Sequence, residues 1–315
     1  MKKLLGMTLL LALLAIVISI FEGQAFLSPG NLHNLLQRIG LLGIYTLGAG
    51  IVILSGGIDL SVGSVIGFVG VMVALLVTRG VNPWAASALV IPMCALLGMW
   101  HAFLIGRFKL QPFLATLTSL LLLRGLARGI SGGASQTLDK GCEAFKQLGN
   151  GSFAWIPIPF WILVGIALVL GFMMNFTVYG RYLYAIGRNE DAVRYSGIKV
   201  NRIQLLAYVI CAVLAGIAGV VELSYIGEVQ PASAGLMYEM WAIAGAVLGG
   251  CSLRGGEGSV LGVIVGVSLI TVMRNGINLV GVNTEWEWAV IGVVILGGVI
   301  ADAAYKLRAA KRVKA

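Results

Sequence analysis

The chain has little of what soluble enzymes are built from. Only 11% of its 315 residues are charged, less than half of the quarter or so that an ordinary soluble domain carries. Four cysteines (Cys94, Cys142, Cys211 and Cys251) are scattered without metal-ligand spacing, which leaves them as small apolar fillers and gives no metal or cofactor site. No G-x-x-x-x-G-K-[ST] phosphate loop occurs anywhere, so the chain is not expected to hydrolyse ATP. Leu54-Ser55-Gly56-Gly57 imitates a nucleotide-binding signature, but without a phosphate loop it is a decoy. No His-Ser-Asp set or carboxylate cluster is in view for hydrolysis or a proton relay, so the chain is read as non-enzymatic. His101 and Glu239 stand alone near the ends of apolar runs and are expected at an interface.

What is present suits lipid. The chain is 59% hydrophobic with a mean hydropathy of +0.96. Ten apolar runs recur near residues 4–21, 35–54, 60–78, 84–105, 112–130, 155–176, 203–222, 237–253, 258–273 and 286–304. Crossing a hydrocarbon layer of about 30 Å takes about 20 helical residues. The runs are apolar on every face, where barrel strands would alternate. The expected fold is therefore all-α, a polytopic bundle of about ten membrane-spanning helices in one integral-membrane domain over residues 1–315. Residues 1–21 are read as a retained first helix, because Phe21-Glu22-Gly23-Gln24-Ala25 lacks a small-x-small cleavage pattern.

Basic residues set the orientation, since positive loops stay in the cytoplasm. With both termini cytoplasmic, ten crossings put fifteen of the 22 Lys and Arg residues inside and eight of the thirteen acids outside. Trp84, Trp155, Trp286 and Trp288 then mark the outer rim and Tyr179, Tyr182, Tyr184 and Tyr305 the inner one. The net charge of +9 is the positive-inside signal facing anionic lipid, with no nucleic-acid partner implied.

Two polar interruptions are long. The external one, residues 131–154, is either a connector or a surface that meets an extracytoplasmic partner. In the cytoplasmic one, residues 178–202, Asn189 can cap a short helix with Glu190 and Asp191 in its first turn, and Gly197 can end it. That helix either covers the bundle or docks a soluble partner; periodicity does not choose.

The run "ILSGGIDLSVGSVIG" (53–67) breaks an apolar stretch. Gly56 and Gly57 can leave the helical region, and Asp59 can accept from the free amides that start a new helix at Leu60. Asp59 is thus either a cap or part of a polar path that includes Ser61 and Ser64. Further intramembrane hydroxyls, Ser55, Thr116, Thr118, Ser119 and Ser268, are candidates for the same path, although such groups usually bond within the helix bundle. "AGIVILSGGIDLSVGSVIG" from Ala49 and "AGAVLGGCSLRGGEGSVLG" from Ala244 align without gaps, each a helix, a glycine-rich break and a helix. Internal repeats of this kind occur in many transporters.

Four segments in order, "VILSGGIDLSVGSVIGF" (52–68), "LQPFLATLTSLLLLRGLARGISGG" (110–133), "YAIGRNEDAVRYSGIKVNRI" (184–203) and "GAVLGGCSLRGGEGSVLGVIVGV" (245–267), closely resemble the permease subunits of bacterial ribose-type ABC importers. These belong to the wider branched-chain amino acid and sugar permease family. The resemblance implies a multi-pass protein of the bacterial plasma (inner) membrane moving a monosaccharide by alternating access. It implies as partners cytoplasmic ABC ATPase subunits, a second permease subunit, identical or not, and an extracytoplasmic sugar-binding protein. It makes Asn189–Gly197 the ATPase-coupling helix, with Glu190, Ala192, Ser196 and Gly197 matching the family motif. Arg188 departs from it, standing where glycine is common. Branched-chain amino acid or nucleoside importers are the nearest alternatives. An ion-coupled carrier would need buried acids along several helices, and only Asp59 offers one.

Overall fold

The computed structural model describes residues 2–138 and 141–281, with six isolated positions beyond (286, 289, 292, 293, 296 and 297). The tenth apolar run therefore lies largely outside the described residues. Twelve helices are seen: α1 (Lys2–Phe26), α2 (Pro29–Leu54), α3 (Val62–Thr78), α4 (Pro83–Phe108), α5 (Pro112–Ile130), α6 (Glu143–Asn150), α7 (Ile158–Phe176), α8 (Val178–Arg188), α9 (Glu190–Tyr195), α10 (Val200–Ile226), α11 (Tyr238–Leu248) and α12 (Val260–Leu279). Seven of these, α1, α2, α4, α5, α7, α10 and α12, are long and apolar enough to cross a membrane. The chain is a polytopic helical membrane bundle.

Helix starts follow local chemistry. Ser28 caps α2, Asn82 caps α4 and Ser259 caps α12 with side-chain oxygens, while Pro29, Pro83 and Pro112 occupy first-turn positions where a missing N–H costs nothing. Two helices, α2 and α10, form the hub: α10 packs on α2, α3 and α4, and α2 also packs on α7, α11 and α12. α1 lies on α12 and α5 on α3 at the periphery. Their outward faces carry Leu9, Ile20, Leu121 and Leu122, all exposed, the surface expected of helices in lipid. Without a hydrophobic force between helices, close backbone approach holds the hub. At Gly98 on α4, a Cβ would lie 2.6 Å from the Tyr208 carbonyl oxygen and Val209 Cα on α10.

The remaining two apolar helices are too short to cross alone. At 1.5 Å per residue, the 17 residues of α3 and 11 of α11 span about 26 and 17 Å, against about 30 Å of hydrocarbon. Each is preceded by irregular backbone: residues 55–61 before α3, and residues 230–237 before α11. The sequence expected α3 to begin at Leu60; it begins at Val62, because Asp59 holds residues 59–61 in a turn of their own.

Residues 131–154 are more than a connector in form. A two-residue strand β1 (Gln136–Thr137) pairs antiparallel with β4 (Glu228–Val229), β2 (Ser152–Phe153) pairs with β3 (Ile156–Pro157), and α6 lies between. The loop over residues 178–202 holds α8 in addition to the short capped helix read from the sequence.

Candidate functional site

The first irregular segment is buried and tightly tied. Gly56 takes φ +82°, a left-handed conformation that glycine adopts without steric cost. At Gly57 there is no room for a side chain, since a Cβ would collide with the Tyr208 hydroxyl. Asp59, 3% exposed, accepts from the Ser61 N–H at 2.8 Å and the Ser61 hydroxyl at 2.6 Å through Oδ1. The Leu60 N–H donates to Thr116 Oγ1 on α5 at 3.1 Å. The carboxylate thus closes a turn onto Ser61 and does not cap the free amides of α3, which has no side-chain cap.

Its second oxygen meets something the sequence reading missed. His101 on α4 is 0% exposed, not interfacial, with Nδ1 3.8 Å from Asp59 Oδ2. Tyr208 on α10 places its ring edge-on to the imidazole, with centroids 6.2 Å apart. Among the described residues, Asp59 Oδ2, both His101 ring nitrogens and the Tyr208 hydroxyl find no hydrogen-bond partner. Two helices, α4 and α10, and the break thus converge on one buried polar cluster. Only packing reveals it, because His101 is separated by 42 residues from Asp59 in the chain. Glu239 is likewise buried at 6% exposure, not interfacial.

The second irregular segment touches the first turn of α3. Gly63 and Gly235 lie back to back: a Cβ on either would run into the other's carbonyl oxygen, and Gly235 takes φ +64°. Arg124 on α5 donates to the Ala234 carbonyl and fixes the second segment from the other side. The candidate path hydroxyls do not line this junction. Ser55, Ser64, Thr116, Thr118, Ser119 and Ser268 each donate to a carbonyl within four residues.

Polar space opens instead beside the start of α11. One cavity of about 440 Å³ lies between α2, α10, α11 and α12 and is lined by Asn34, Arg38, Tyr45, Trp241, Arg274 and Asn278 among others. A second, of about 230 Å³, lies between α3, α10 and residues 228–238. Glu222 and Tyr238 line both, and the Tyr238 hydroxyl donates to Glu222 at 2.7 Å. Sequence reasoning assigned none of these residues to a site. Their position within or beside apolar runs was the available signal.

The arm over residues 178–202 has the cap and the stop that the sequence suggested. Asn189 Oδ1 accepts from the Ala192 N–H at 3.0 Å, and Gly197 ends the turn at φ +81°. Val193 anchors α9 in a small apolar cluster with Ile186 and Val200. Ala192, Ser196 and Gly197 are exposed, and Tyr195 is 91% exposed. Glu190 pairs with Arg194 at 2.5 Å and accepts from Gln204 at 3.0 Å, so it braces α9 against α10.

α8 carries this arm to the core. Gly187 abuts the Leu54 carbonyl, Gly256 and Gly56, where the Gly256 N–H donates to Leu54 O at 2.9 Å. The Tyr184 hydroxyl donates to Gly258 O at 3.0 Å and that of Tyr179 to Ile203 O at 3.3 Å. Burial pushes both phenols above their ordinary pKa, so they stay protonated donors. The arm therefore touches both helix breaks of the repeat, 55–61 and 249–259, through the Gly187 backbone and, at the second, through the Tyr184 hydroxyl.

Two broken spans in a helical bundle, flanked by polar cavities and gripped by an exposed arm, define a membrane protein of the transport-conduit class. The chain belongs to the family described as branched-chain amino acid transport system / permease component, whose model matches residues 31–299. It is 38% identical over 295 residues to the ribose import permease protein RbsC of Escherichia coli K12, covering 93% of this chain and 91% of that one. It is 39% identical over 298 residues to RbsC of Bacillus subtilis 168, covering 95% and 92%. With the L-arabinose transport system permease protein AraH of E. coli K12, identity is 32% over 308 residues, covering 98% and 92%. No solved structure matches the chain at a significant level.

Proposed function

We propose that this chain is the membrane-spanning subunit of a bacterial inner-membrane ABC importer for a monosaccharide of the ribose or arabinose type. In this reading both termini are cytoplasmic. ATPase subunits bind the inner face, a sugar-binding protein delivers solute from outside, and a second permease copy or paralogue completes the conduit. The observation that carries the mechanism is the contact of Gly187 with Leu54, Gly56 and Gly256. A push on α9 passes through α8 to both breaks with no flexible side chain in between. Packed backbone contacts of this kind have discrete arrangements rather than a continuous range, which suits a switch between outward and inward openings. Relatives named for ribose and arabinose import support the sugar over a branched-chain amino acid.

The test uses host cells deleted for this chain and complemented by plasmid. Wild type is expected to restore ATP-dependent uptake of ¹⁴C-labelled D-ribose or L-arabinose. Glu190→Arg loses the brace to Arg194 and Gln204 and is expected to abolish uptake while the chain still reaches the membrane and elutes as a folded species. Undiminished uptake by that variant would remove α9 from coupling. Restored uptake of leucine but of neither sugar would reverse the substrate assignment.

A further inference from the structure

We infer that the 440 Å³ cavity between α2, α10, α11 and α12 is a binding site within a single subunit for a neutral monosaccharide, occupied as solute leaves the outer face. The inference rests on the sugar-importer reading. Its volume falls within the roughly 300–1,000 Å³ of small-molecule sites.

The lining fits a polyol better than an ion or a lipid chain. Donors and acceptors are dense for a membrane bundle: four asparagines (Asn31, Asn34, Asn275, Asn278), two arginines and Glu222 face one space. Asn31 and Asn275 are bonded to each other across α2 and α12 at 3.1 and 2.6 Å, which holds the two walls in register. Among the described residues, the side chains of Asn34, Arg38 and Asn278 make no hydrogen bond or ion pair, and so can meet sugar hydroxyls.

The strongest charges are already engaged. Arg274 lies over the Trp241 ring at 4.8 Å, and Glu222 accepts from Tyr238. A ligand ammonium would have to take Glu222 from Tyr238, whereas hydroxyls need only the amides and Arg38. The floor is aromatic: Tyr45 and Tyr238 are stacked with centroids 5.4 Å apart, beside Trp241. Such surfaces suit the C–H face of a sugar ring, and polar groups fix its orientation. The cavity also opens at the first turn of α11, next to the broken span, where irregular backbone within a transporter borders its solute.

Accessibility tests the site directly. The four native cysteines Cys94, Cys142, Cys211 and Cys251 are buried, so single added thiols can be read against a low background. Asn278→Cys and Asn34→Cys sit on the cavity wall at exposed positions. Glu143→Cys, on an exposed external side chain, is the control. In right-side-out membrane vesicles, a membrane-impermeant maleimide is expected to label all three. D-Ribose or L-arabinose, at ten times its dissociation constant, is expected to slow labelling at 278 and 34 by about ten-fold and leave 143 unchanged. Protection by L-leucine and by neither sugar would overturn both the site's ligand class and the sugar reading. No protection at 278 or 34, in cells where the wild-type chain still imports sugar, would overturn this site while leaving the importer reading intact. No protection together with no sugar import would overturn both.

Discussion

The two broken spans solve the same problem with opposite chemistry. Residues 55–61 run through the core almost fully buried and are held by a carboxylate, with Asp59 closing a turn onto Ser61 and Thr116 receiving Leu60. Residues 230–237 have more exposed members, are held by one arginine on a backbone carbonyl, Arg124 on Ala234, and form a wall of the smaller cavity. Buried polar backbone needs a partner wherever it lies. Each segment takes partners from its own turn and from α5; the first is buried as a wall, while the second borders the smaller cavity.

The contact that joins the spans should be the most sensitive point. Gly63→Val or Gly235→Val forces a side chain into a carbonyl, at position 235 in a left-handed conformation as well. A loss of about 3 kcal/mol or more is expected from overpacking and backbone strain together, seen as loss of folded protein on size exclusion. A normal melting profile for either variant would show that the spans do not lean on each other.

Asp59 is next. Asp59→Ala leaves the Ser61 N–H and hydroxyl buried without their acceptor and should cost about 1–3 kcal/mol in thermal unfolding, while Asp59→Asn keeps one acceptor oxygen and should cost less. If Asp59→Asn assembles normally yet transports nothing, the carboxylate has a role on the path beyond closing that turn, and the first span is no longer a mere wall. Arg124→Met removes the tie on the second span. Hydrogen exchange is expected to quicken over 230–237 and stay unchanged over 55–61; equal quickening in both would erase the contrast between them. Ser268→Ala, whose hydroxyl only returns to Ile264 O, should shift stability by no more than about 0.5 kcal/mol and leave uptake unaltered.

Much of this was legible in one dimension. Nine of the ten apolar runs coincide with helices among the described residues, because run length against bilayer thickness is a local property. The Asn189 cap, the Gly197 stop and the helix–break–helix form of both repeat halves were legible for the same reason: each depends on residues within a turn or two of one another. Where each hydroxyl's hydrogen bond goes was not legible. A serine in a helix can satisfy itself on its own backbone, and nothing in its type reveals that it has done so.

By itself, the sequence determined the solvent, the helices, the places where they break and the capped arm outside the bundle. The tertiary structure alone decided that His101 meets Asp59, that Gly63 meets Gly235, that Gly187 touches both breaks and that Arg38, Glu222 and Arg274 share a cavity. Neighbours along the chain are fixed by covalent spacing. Neighbours across it depend on the rotation and register at which helices pack, and a glycine-rich apolar surface allows many of those until backbone contacts and buried polar partners select one.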